Sequence, residues 1–164
     1  MVFRKKTTRF WAVFFLMSLF FGGRISADAA GVYPSPEEAE FLVRSVAAAA
    51  EGSMRIDGRD NIKVAASYAA RVGIIATVLN RLVDPRFPNS IPQIIASDKT
   101  FSSTAPAAKI SDYDIALTYA ALDAALQGFD PTGGALYFST PVDSVNRFAV
   151  TCEMEGYLFG VPPE

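Results

Sequence analysis

Apolar residues in this chain recur at helical spacing in three segments and then at strand-like spacing near the carboxyl end. Ser35-Pro36-Glu37-Glu38 opens the first segment with a serine N-cap, proline at the first helical position and glutamate where a capping box needs it. The helix is predicted to continue through Phe41, Leu42, Val43, Val46 and Ala47 to Ala50, ending near Glu51-Gly52. Residues 53–63 are polar, contain Gly58 and read as a loop, with Asp60 a candidate N-cap. Val64 to Leu82 carries Val72, Ile75, Ala76, Leu79 and Leu82 on one face, a helix buried along at least that side. Gly73 inside it suggests close packing against a neighbour. Pro85 and Pro88 disfavour a helix over Val83 to Ile91, and Pro92 to Ala96 reads as one short turn after Ser90. Phe101 to Ala108 reads as a Ser/Thr/Pro loop. Ser111 caps a third long helix, Asp112 to Leu126, which Gly128 stops. Short extended pieces follow around Phe148–Cys152 and Tyr157–Phe159. Helices followed by strands define a mainly helical α+β domain with a small C-terminal β element.

The amino terminus has a different character. Arg4, Lys5, Lys6 and Arg9 precede an uncharged, mostly apolar run from Phe10 to Gly22, and Ala27-Asp28-Ala29 offers a small-x-small cleavage pattern. The run falls short of the roughly 20 residues of a spanning helix. Residues 1–29 therefore read as a signal peptide cleaved after Ala29, with an uncleaved anchor over residues 10–22 as the alternative. Residues 30–41 form a linker and the start of the first helix, and residues 42–164 form the functional domain. The first 29 residues hold five basic groups and one acidic group. The remainder carries 10 Lys and Arg against 16 Asp and Glu, a net charge of −6. That balance lacks the polybasic stripe of a nucleic-acid binder.

Histidine is absent from the chain, which excludes a Ser-His-Asp triad, a Cys-His pair and a histidine-ligated zinc. Cys152 is the single cysteine, without a partner for an intramolecular disulfide, and reads as a small buried apolar residue. Acid/base chemistry by Asp or Glu is what remains.

The Asp130-Pro131-Thr132-Gly133-Gly134-Ala135-Leu136-Tyr137-Phe138 stretch is a sharp turn feeding a short strand. Pro131 fixes one φ, and the glycines permit either unusual backbone conformations or close approach. Asp130 is placed to bond its own turn. Tyr137 and Phe138 point to opposite faces, one to the core and the other free to stack on a sugar. Asn80 and Arg81 read as structural, tying the helix end to the loop that follows.

Several segments, in order, resemble the SleB/CwlJ cell-wall hydrolase family, the spore-cortex-lytic type. Ile75-Ala76-Thr77-Val78-Leu79-Asn80-Arg81-Leu82 is similar to that family's buried helix with its Asn-Arg end. Pro85-Arg86-Phe87-Pro88-Asn89-Ser90, Phe101-Ser102, Asp130 to Phe138 and Met154-Glu155-Gly156-Tyr157-Leu158-Phe159 follow at the expected places. The resemblance implies a lysozyme-like domain that cleaves the glycan strands of peptidoglycan, commonly as a lytic transglycosylase. One glutamate then serves as general acid, and no cofactor or metal is needed. Together with the signal-like N-terminus, this gives an expected exported, extracytoplasmic monomer acting at the cell wall, in sporulation or germination. Such a protein would touch the membrane only through its N-terminal segment. Phe101, Ser102, Gly133, Gly134, Tyr137 and Phe138 are the substrate-binding residues that the resemblance assigns.

The chain departs from the family pattern at the acid. Alignment on Val46 and Gly52 sets Ala49 where the family glutamate stands, with Glu51 two residues later. Two residues rotate a helical side chain by about 200°. Glu51 is nevertheless the leading catalytic candidate, because the carboxyl end of a helix dipole favours the protonated form that a general acid needs. Asp57 and Asp60, in an insertion of about 13 residues, are the substitutes. Tyr157 stands where the family often has histidine. The alternative is a catalytically inactive wall-binding or regulatory homologue.

Overall fold

The computed structural model describes residues 33–52, 67–102, 110–139 and 148–163. The N-terminal signal-like segment, and Asp57 and Asp60, lie outside the described residues. Among the described residues, five helices and three strands succeed one another: α1 (Pro36–Gly52), α2 (Tyr68–Val83), α3 (Ile91–Ser97), α4 (Lys99–Ser102), α5 (Asp112–Leu126), β1 (Tyr137–Ser139), β2 (Ala149–Met154) and β3 (Tyr157–Val161). No helix among the described residues is long and apolar enough to cross a membrane.

Local capping sets most helix ends. In α1, Ser35 N–H donates to Glu38 Oε2 at 3.1 Å while Glu38 N–H donates to Ser35 Oγ at 3.2 Å, a reciprocal capping box. In α5, Asp114 N–H donates to Ser111 Oγ at 3.0 Å. Its far end closes with Gly128 at φ 87°, where Gly128 N–H reaches Ala125 O and Phe129 N–H reaches Ala124 O. That paired return is a Schellman closure, which favours glycine at the left-handed position.

Helix α2 starts later than its apolar periodicity implies. Ser67 is its N-cap, with Ala70 N–H donating to the serine hydroxyl, and Val64 to Ala66 are outside the described residues. Phe101 belongs to a helix, not a loop. Asp98 Oδ1 accepts from Thr100 N–H and starts the single turn of α4, which packs the Phe101 ring inward. The short turn expected after Ser90 is the two-turn helix α3, with Pro92 in its first turn.

All residues of α2 from Ala70 to Arg81 are buried, and α1, α3, α5, β1 and β3 pack around it. A helix buried on every side, its Arg71, Thr77, Asn80 and Arg81 included, stands at the centre of the core. Leu42, Val43, Val46, Val72, Ile75, Val78, Ile91, Ile94 and Phe159 fill that core. Gly73 faces the sheet: a Cβ there would stand 2.5 Å from Met154 Cε and 2.8 Å from Phe159 Cζ, which confirms the close approach. Arg71, fully buried, crosses from α2 to α5, where its guanidinium meets the Asp114 carboxylate, the Asp114 carbonyl and the Thr118 hydroxyl.

The sheet is antiparallel with order β1-β3-β2. Tyr137 pairs with Gly160 and Phe138 with Phe159, and a bulge between Val150 and Cys152 distorts the β2 edge. The β2–β3 turn holds Glu155 at φ 53° and Gly156 at φ 84°. Glu155 also accepts a hydrogen bond from Ser67 N–H at 3.1 Å, joining the hairpin to the start of α2.

Candidate functional site

The Asp130–Phe138 segment is held from inside by its own aspartate. Asp130 Oδ1 accepts from Thr132 N–H at 2.8 Å and the Thr132 hydroxyl at 2.6 Å. Its Oδ2 accepts from Gly134 N–H at 3.0 Å and Asn80 Nδ2 at 2.9 Å. Both carboxylate oxygens are thus engaged within a buried turn, so Asp130 shapes the site and offers nothing to a ligand.

The end of α2 anchors this turn. Asn80 Nδ2 also donates to Ala135 O at 3.1 Å, and Arg81 Nε donates to Leu136 O at 2.6 Å. The Arg81 guanidinium pairs with Asp98 and lies 5.3 Å from the Phe87 ring centroid, 5.8 Å from Tyr137 and 6.0 Å from Phe138. Arg81 therefore does reach the segment following α2, as its position suggests. The larger part of the Asn80-Arg81 bonding, however, goes 50 to 55 residues down the chain. These two side chains are the brace of the site, a role that local spacing does not reveal.

Gly133 and Gly134 adopt φ 71° and 87°, and a Cβ on either would meet nothing within 4 Å. Backbone conformation, not crowding, is why glycine stands at both positions. The surface above them is open. Tyr137 and Phe138 divide as the strand alternation requires. Tyr137 is half-buried, whereas Phe138 is 5% exposed and meets Phe101, 7% exposed, edge to face at 5.5 Å. Phe101 and Phe138 thus back the strand from the core side. Ser102 ends α4, and its side chain lies outside the described residues.

Glu51 falls in the last turn of α1, with its side chain outside the described residues. Ala49 is 2% exposed and part of the hydrophobic core. Burial pushes the thiol pKa of half-buried Cys152 up, helped by the Asp130 and Glu153 charges, which disfavours the nucleophilic thiolate. A recess between α2 and the end of α5, lined by Leu79, Asn80, Phe129 and Asp130, has room for about one water and none for a sugar. No cluster of three metal-ligating acidic, cysteine or histidine residues occurs among the described residues.

Phe87 and Phe148 carry no site role in the sequence reading, yet both stand beside Tyr137, at 5.9 and 6.1 Å between ring centroids. The strand pairing through Gly160 that brings Phe148 there is a long-range property.

A buried central helix, a helical shell and a small sheet carrying a glycine-rich turn define a lysozyme-like fold. Sequence comparison narrows the class. A family model described as cell wall hydrolase matches residues 65–157, more than half of the chain, and the chain belongs to that family. A spore cortex-lytic enzyme of Bacillus cereus is 31% identical over 84 residues, which are 51% of this chain and 32% of that relative. A spore cortex-lytic enzyme of Bacillus subtilis strain 168 is 36% identical over 74 residues, 45% of this chain and 24% of that relative. The matched stretch thus spans a third or less of these relatives. The crystal structure of the catalytic domain of the Bacillus cereus SleB protein shares the fold. Its TM-score is 0.57 at 20% identity, over 85% of this chain and 99% of that one.

Proposed function

We propose that this domain cleaves the glycan strands of peptidoglycan outside the cytoplasm, as a lytic transglycosylase with a carboxylate general acid. The observation that carries this reading is the turn-and-strand wall of Gly133, Gly134 and Tyr137, braced by Asn80 and Arg81 in a cell wall hydrolase fold. The names of the matched relatives, spore cortex-lytic enzymes, support peptidoglycan as the polymer and germination as a setting. Gly133, Gly134 and Tyr137 contact the sugar directly, with Ser102 alongside, while Phe101 and Phe138 hold the wall in place.

In this reading the Glu51 carboxyl gives its proton to the glycosidic oxygen as the bond from that oxygen to the anomeric carbon breaks. The 6-hydroxyl of the same muramic residue closes on the anomeric carbon and returns its proton to the carboxylate. The products are a free 4-hydroxyl end and a 1,6-anhydro end, and no water is consumed. Asp57 or Asp60 takes the acid's place if Glu51 does not serve. The domain acts as a monomer, reaching the wall through cleavage of residues 1–29 or anchored by residues 10–22. Mass determination of the exported protein separates these routes: cleavage leaves a chain beginning at Ala30.

A second reading has a specific observation behind it. Ala49, at the position aligned with the family glutamate, is sealed in the core, which favours a wall-binding homologue without catalysis. Clearing of purified sacculi tests both. Catalysis through Glu51 predicts clearing by the natural protein and its loss in Glu51→Gln. An inert natural protein that gains clearing on Ala49→Glu supports the second reading.

A further inference from the structure

Three aromatic rings stand in a row outside the hydrophobic core: Phe87 from the α2–α3 connection, Tyr137 from β1 and Phe148 just before β2. Each is half-buried. Phe87 and Tyr137 are 5.9 Å apart between centroids and tilted by 59°, and Tyr137 and Phe148 are 6.1 Å apart and within 12° of parallel. The core draws on the other face of the sheet, through Phe138 and Phe159, so packing of the interior does not account for the row.

Gly160 makes the row possible. It is the partner of Tyr137 on the middle strand, and a Cβ there would meet Phe148 Cδ2 at 2.4 Å and Ala149 O at 2.2 Å. Without that side chain the Phe148 ring lies across β3 and reaches Tyr137. Arg81 fixes two of the three rings, its guanidinium against both Phe87 and Tyr137 while Asp98 and Leu136 O hold it still. A cation held against aromatic rings restricts their movement.

At the Phe87 end stands Arg86, with 56% of its side chain exposed. Asp84 takes its Nε and Nη2 at 2.9 and 2.7 Å, which leaves Nη1 without a partner among the described residues. The end of the row therefore pairs aromatic surface with an oriented guanidinium N–H donor.

We propose that Phe87, Tyr137 and Phe148 form a stacking platform for consecutive pyranose rings of an amino-sugar glycan, with Arg86 contacting a carboxylate-bearing substituent on that glycan. The spacing of the rings is about that of neighbouring sugars in such a chain, and the apolar faces of pyranoses suit aromatic surfaces. The platform sets the course of the strand: it crosses the sheet from β1 towards β2, beside the open Gly133-Gly134 turn. This assignment rests on peptidoglycan as the polymer, and it is tested by binding so that it fails separately from the proposed cleavage.

Calorimetric titration of the protein with two probes tests it: chitotetraose, which is neutral, and a peptide-free tetrasaccharide of alternating N-acetylglucosamine and N-acetylmuramic acid. Removing one ring, by Phe148→Leu or Phe87→Leu, is expected to weaken both probes about tenfold, while Phe148→Trp keeps the affinity. Arg86→Ala is expected to weaken only the muramic-acid probe. Thermal melting of each variant establishes that it is folded, and Phe148→Trp serves if either leucine variant is not. Unchanged affinity in a folded leucine variant, lost affinity in Phe148→Trp, or no binding by the natural protein overturns the platform. Equal effects of Arg86→Ala on both probes overturn the carboxylate contact. Binding without cleavage of sacculi removes the proposed activity and leaves the platform standing.

Discussion

Replacing Asn80 tests whether the glycine-rich turn is fixed by the end of α2. Asn80 is 8% exposed, and its amide donates to the Asp130 carboxylate at 2.9 Å and the Ala135 carbonyl at 3.1 Å. A hydrogen bond to a charged group is worth about 1.5–3 kcal/mol and a neutral one about 0.5–1.5 kcal/mol. Asn80→Ala removes both bonds and is expected to cost about 2–4 kcal/mol, or roughly 10 °C in melting temperature for a domain of this size. Asn80→Asp keeps the shape and turns the donor into an acceptor facing Asp130. At neutral pH two carboxylates about 3 Å apart repel, so the loss exceeds that of the alanine variant. The excess shrinks as pH falls and the pair shares a proton. Urea unfolding followed by circular dichroism at pH 7 and pH 4 measures both effects. A double-mutant cycle with Asp130→Asn isolates the pair. A loss below about 0.5 kcal/mol in Asn80→Ala, or additive effects in the cycle, would refute the brace.

Other consequences are as direct. Arg71→Met leaves the Asp114 carboxylate without its buried guanidinium and is expected to cost about 3–5 kcal/mol in urea unfolding, against near-neutrality if the pair is incidental. Gly134→Ala meets no neighbouring atom but forces alanine to φ 87°, so the expected loss is about 1–2 kcal/mol of backbone strain, read by thermal melting. The Arg86 guanidinium lowers the Asp84 pKa from 3.8 to about 2, chiefly through its side-chain hydrogen bonds. Asp84 therefore contributes stability above pH 3.8 that disappears as pH falls through about 2, and a carboxyl titration followed by NMR should place its midpoint there, moving up in Arg86→Ala.

What could be read from the sequence follows the range of the interactions involved. The boundaries of α1 and α5 were legible because Ser35, Glu38, Ser111 and Gly128 act on residues three to five positions away. The internal bonding of Asp130 was legible for the same reason. Helix α4 was not, because a single turn opened by Asp98 carries no apolar period, and the ring that Phe101 buries meets Phe138, 37 residues away. Asn80 and Arg81 could be recognised as structural but not as the brace of a turn some 50 residues away, since nothing local names their acceptors. The glycines of the site divide in the same manner. Positive φ at Gly133 and Gly134 belongs to the turn and shows in its sequence, whereas the need for glycine at position 160 arises from a ring carried by another strand.

The proposed activity is cleavage of peptidoglycan glycan strands behind the Gly133-Gly134-Tyr137 wall. Mass spectrometry of the soluble products from purified sacculi incubated with the protein tests it most directly. The expected products are muropeptides ending in 1,6-anhydro-muramic acid, absent when Glu51→Gln replaces the natural protein. Reducing-end products without the anhydro form would contradict the transglycosylase chemistry, and intact sacculi with no soluble product would contradict the cleavage itself.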